Sequence, residues 1–113
     1  MRINIYALKL NSDRIVTIVK ERGINYQDIE LKMPNVVSDM LNNIFDASNL
    51  AEEHCWLIGT NSELKPLGMF EISHGSFNMS VMNPREIFTR LCLIGASNFI
   101  LAHNHRRKGM LTA

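Results

Sequence analysis

Two histidines one residue apart, His103 and His105, are the side chains of this chain best suited to chemistry. They follow the apolar run Phe99-Ile100-Leu101-Ala102, which predicts a buried central strand bounded by Gly95 before it and a basic tail after it. On a strand, residues two apart share a face, so both imidazoles point the same way at the strand's carboxyl end. Two imidazoles so placed can share one Zn²⁺, each nitrogen about 2.0–2.1 Å from it. The same tripeptide is also what two ordinary surface histidines would look like. A zinc hydrolase needs more: a third protein ligand, an open position for water, and a carboxylate to move protons. Glu53 is the carboxylate of choice, because it stands at the start of a second core-strand candidate, Cys55 to Ile58. Taken alone, it also reads as a solvated acid flanking a strand.

The bulk numbers set the frame for such a site. With 113 residues the chain is read as one domain with one modest core. It is 46% hydrophobic and 20% charged, as ordinary globular proteins are. A formal net charge of +1 argues against strong global attraction to nucleic acid or membrane. Arg106-Arg107-Lys108 is the one local exception. Cys55 and Cys92 both sit in apolar runs, which predicts two buried, reduced thiols and a cytoplasmic protein. No signal peptide and no apolar run long enough to span a bilayer is found.

The elements that must position these residues are legible in order. Ile3 to Leu10 predicts a half-buried strand, and Asn11-Ser12-Asp13 a turn. Arg14 to Arg22 fits helical spacing, but its density of β-branched residues favours a strand paired with the first as a hairpin. Pro34 opens an amphipathic helix carrying Val36, Val37, Met40, Leu41, Ile44 and Phe45 and ending near Ala47. Asn61-Ser62-Glu63 turns the chain into a strand over Pro66 to His74, and Phe77 to Met82 alternates like a further short strand. Asn83 caps a second helix with Pro84 at its first position, Ile87, Phe88, Leu91 and Ile94 on its buried face, and Gly95 as its stop. A helix between two strands implies a crossover, so a mixed sheet is expected.

The order of these pieces is specific where each alone is weak. Glu53 before an apolar strand, then Gly75-Ser76-Phe77-Asn78-Met79-Ser80-Val81, then Pro84-Arg85-Glu86-Ile87-Phe88, then Ala102-His103-Asn104-His105, resembles the RadC family. RadC proteins carry a metalloprotease-like domain of the JAB/MPN (JAMM) type. The resemblance covers Glu53 to His105, with residues 1–50 as a variable lead-in of hairpin and helix. It implies an α/β (α+β) fold, a mixed sheet flanked by helices of the cytidine-deaminase-like kind. It also implies a zinc site in which His103 and His105 are ligands and Glu53 is the general base, acting through the metal-bound water. The reaction class implied is hydrolysis of an amide or isopeptide bond. RadC proteins are commonly named as DNA repair proteins, although no residue here shows DNA chemistry.

The departure from the family pattern carries its own expectation. In the family, Pro-Ser-Gly follows the His-Asn-His, and later come a serine that steadies the oxyanion and an aspartate that is the third ligand. Here Arg106 to Ala113 follows, with no Asp or Glu after His105. A domain incomplete at its C-terminus is expected, with weak zinc binding and low or no activity. The outer neighbour of the histidine strand and a covering helix would be absent, which favours self-association into a homo-oligomer. Three further readings compete. An HNH nuclease would need more metal-binding residues downstream, and only eight residues remain. A catalytically dead interaction module is the stronger alternative. Nucleic-acid contact through Arg106, Arg107 and Lys108 is the third, although three adjacent bases on a tail more often form a solvated end.

Overall fold

The computed structural model describes residues 1–74, 83–105 and 110–112. Its elements run β1 (Arg2–Leu10), β2 (Val16–Asn25), α1 (Pro34–Phe45), a 3-10 turn (Ala47–Asn49), β3 (His54–Thr60), β4 (Pro66–His74), α2 (Pro84–Ile94), β5 (Asn98–His105) and β6 (Met110–Thr112). The expected short strand over Phe77 to Met82 lies outside the described residues.

Two hairpins are closed by the same device. The Oδ1 of Asn11 accepts from the backbone N–H groups of Asp13 (2.9 Å) and Ile15 (3.0 Å). The Oδ1 of Asn61 accepts likewise from Glu63 (2.9 Å) and Lys65 (3.0 Å). In each turn the fourth residue is left-handed, Arg14 at φ 64° and Leu64 at φ 63°. An asparagine folding its amide over the next residues makes such turns locally favourable. The β-branched run of β2 does pair antiparallel with β1, as its composition predicts.

One six-stranded sheet results, in the order β2-β1-β4-β3-β5-β6. β1 and β4 are parallel; every other neighbouring pair is antiparallel. The sheet is therefore mixed, and helices cover both faces. One face carries Ile3, Trp56, Ile58, Met69 and Ala102 against Val37, Met40 and Leu41 of α1. The other carries Leu57 and Phe70 against Leu91 of α2. Each fully buried side chain of this size contributes about 1.5–3 kcal/mol. α2 begins where Asn83 Oδ1 accepts from the Arg85 N–H at 2.9 Å, and it stops at Gly95, left-handed at φ 69°.

Four expectations are corrected. The histidine strand β5 is one in from the edge, and β3 is more central. β5 does have an outer neighbour, the three-residue β6, with His103 opposite Thr112 and His105 opposite Met110. Cys92 is exposed, since the turn of α2 that buries Leu91 carries the next residue round to the outer side. Phe88 is 54% exposed, on that same outer face. An apolar stretch in a helix does not bury all its members when the helix presents only one stripe to the sheet.

Candidate metal-hydrolase site

The site is built by the β3–β5 ladder. Cys55 stands opposite His103, Trp56 opposite Ala102 and Leu57 opposite Leu101. Glu53 lies two residues before Cys55, just past the last rung and outside the strand. Strand alternation then places positions 55, 103 and 105 on one face, the face that α2 covers further along. The sequence reading expected Glu53 and both histidines to meet at one end of the sheet. The register sets Cys55, two residues after Glu53, against His103, and Glu53 and His103 are both half-buried.

Cys55 lies among them, fully buried. Burial pushes its thiol up to about 11, because the thiolate would be cut off from water. Among the described residues, no three His, Cys, Asp or Glu side chains gather closely enough to hold a metal ion. The donor types at this end, two imidazoles and a carboxylate two residues before Cys55, suit zinc.

The opposite face of the same strand ends holds a buried polar residue, the middle member of the His-Asn-His. Asn104 is 1% exposed. Its Nδ2 donates to the carbonyls of Ala47 (3.0 Å) and Glu52 (3.2 Å), and its Oδ1 accepts from the N–H of His54 (2.6 Å). The signal that could have found it is its place in the alternation. Between two histidines on one face, Asn104 had to lie on the other, in line with Ala102 of the core.

His54 is on that face too. Its ring stacks on Trp56 (centroids 5.7 Å apart) and its Nδ1 bonds Glu71 Oε1. Phe45 stacks next to Trp56 at 5.3 Å, with the Arg22 guanidinium 5.4 Å from the Phe45 centroid. This stack walls the core beneath the strand ends on the face away from positions 103 and 105.

A sheet of this order, with helices on both faces and a His-x-His at the end of β5, defines an α+β domain of the JAB-like class. Residues 31–111 match the family model described as the RadC-like JAB domain, and the chain belongs to that family. A UPF0758 protein of Clostridium botulinum is 30% identical over 79 residues, which is 70% of this chain and 34% of that protein. A UPF0758 protein of Alkaliphilus oremlandii is 34% identical over 76 residues, 67% of this chain and 32% of its own. One from Caldanaerobacter subterraneus is 39% identical over 56 residues, 50% and 24% respectively. The chain spans about a third of the length of the curated relatives it matches along most of its own. Among the described residues, no helix is long and apolar enough to cross a membrane.

Proposed function

We propose that this domain belongs to a zinc-dependent hydrolase of amide or isopeptide bonds, with His103 and His105 as metal ligands and Glu53 as the proton carrier. The observation that supports the reading is the β3–β5 register, in which Cys55, two residues after Glu53, stands opposite His103. Zinc, when bound, supplies a Lewis acid and brings the pKa of a coordinated water toward about 7. The Glu53 carboxylate takes a proton from the attacking water and returns one to the leaving amine. A half-buried carboxylate is suited to this, because partial exclusion of water strengthens its interaction with the reacting groups.

A site of two imidazoles and one carboxylate would hold zinc loosely, so weak binding is the expected outcome for these three groups alone. The test is elemental analysis and calorimetric titration with zinc, together with hydrolysis of an isopeptide-linked substrate, on the wild type and His103→Ala. Weak, saturable zinc binding that His103→Ala abolishes supports the reading. No specific zinc binding in the wild type would defeat the metal assignment. Tight stoichiometric zinc with rapid turnover would show instead that a third ligand completes the site.

A second reading, an interaction module that pairs with its own copy, is favoured by one observation. Phe88, Leu93 and Phe99 form an apolar patch on the outer side of α2 and the adjoining end of β5, at 54%, 44% and 42% exposure. Phe88 and Phe99 meet edge to face, centroids 6.2 Å apart. A patch of large apolar side chains left open in this way marks an interaction surface.

A further inference from the structure

We infer that Asn104, the middle residue of the His-Asn-His, is a positioning residue that fixes Glu53 relative to the two histidines. The inference deepens the hydrolase reading and rests on it for its consequence at a metal. The geometry it starts from involves only this chain.

Asn104 bonds both neighbours of Glu53 in sequence. One N–H of its amide goes to the Glu52 carbonyl and its oxygen takes the His54 N–H, at 3.2 and 2.6 Å. Residue 53 is thus bracketed by two bonds to a single side chain. A third bond, to the Ala47 carbonyl at 3.0 Å, ties down the 3-10 turn that leads into this segment. The bracket also has a fixed partner, because Asn104 lies on the same strand as His103 and His105 and directly between them. The base and the ligand positions are therefore referred to one residue rather than to separate parts of the fold. Without the bracket, residues 50–53 lie outside any helix or strand, and nothing in the sheet ladder restrains Glu53.

Only asparagine fits this role. Both N–H donors and the carbonyl acceptor are used, and the site is closed to water. Aspartate would set a carboxylate against two carbonyl oxygens. Serine reaches one partner at a time. Glutamine adds a methylene to a filled space.

The experiment compares wild type, Asn104→Ala and Asn104→Ser by ¹⁵N relaxation without metal, and by the zinc-induced shift of the Glu53 side-chain carboxyl carbon. Zinc alone is the probe. In the wild type the Glu53 amide has an order parameter of about 0.85, and in the variants it falls below about 0.6, while residues 56–60 and 100–103 keep theirs. The zinc-induced shift at Glu53 drops by half or more, while zinc affinity falls by less than the roughly tenfold that loss of a ligand's own partner brings. Unchanged order at Glu53 in a folded variant would overturn the inference. So would equal loss of order along both strand ends, which is what a purely structural staple gives. Should Asn104→Ala not fold, Asn104→Ser keeps a hydroxyl to accept from His54 and carries the same comparison. If the wild type binds no zinc, the hydrolase reading falls, and the order parameters alone decide whether Asn104 positions Glu53.

Discussion

Cys55 and His103 stand directly opposite each other in the β3–β5 ladder, a fully buried thiol facing a half-buried imidazole. Burial holds the thiol protonated, with its pKa raised from 9.0 to about 11. In the unfolded chain the proton leaves near the ordinary value, so the folded state binds more protons between these limits. The stability this provides is complete below about pH 9 and is lost as the pH climbs toward about 11. Urea unfolding from pH 8 to 11 should therefore show a fall in stability that Cys55→Ala lessens. An alkylating reagent at pH 8 should label exposed Cys92 promptly and reach Cys55 only in denaturant. Prompt labelling of both thiols in the native protein would contradict the buried placement.

Gly59 and Gly95 should respond differently to alanine. A Cβ on Gly59 would lie 2.5 Å from Ile94 Cδ1, 3.0 Å from Ala96 Cβ and 3.3 Å from Leu91 Cδ2. The close approach of α2 to β3 depends on that missing methyl, and Gly59→Ala is expected to cost about 1–3 kcal/mol through overpacking. A Cβ on Gly95 meets nothing within 4 Å, but its φ of 69° is left-handed. Gly95→Ala should cost about 1–2 kcal/mol, from the backbone alone. Denaturant midpoints measure both costs. A cavity-making partner change, Ile94→Val, should relieve the first and leave the second untouched.

Much of this was legible in the sequence, for reasons that differ by element. The Asn83-Pro84 start and Gly95 stop of α2 are local chemistry, and both appear where the residues predict them. The shared face of positions 103 and 105 follows from a period of two. What joins the Glu53 segment to them is not local: it depends on β3 pairing with β5 in one register and on Asn104 bonding the Glu52 carbonyl and the His54 N–H. Phe88 and Cys92 were misread because an apolar residue type says nothing of which side of a helix meets the sheet. Asn104 was passed over because its three partners, Ala47, Glu52 and His54, lie some fifty residues earlier in the chain.

The outer patch on α2 gives the last prediction. Phe88 is more than half exposed and packs on Phe99 of β5 rather than into the core, so its ring contributes little to folding. Phe88→Ser should change stability by no more than about 0.5 kcal/mol, as surface substitutions usually do. If the patch is where two copies meet, the same change removes the most exposed apolar side chain of that patch. Sedimentation of the wild type should then show mass rising with concentration, and Phe88→Ser should sediment as a monomer over the same range. Leu10, 51% exposed on the separate β1–β2 hairpin, provides the control. Leu10→Ser should leave association unchanged, because the loss expected at Phe88 comes from one surface rather than from general apolar exposure. Wild type that stays monomeric at high concentration, or a Leu10→Ser effect equal to that of Phe88→Ser, would remove the α2 patch as the contact between copies.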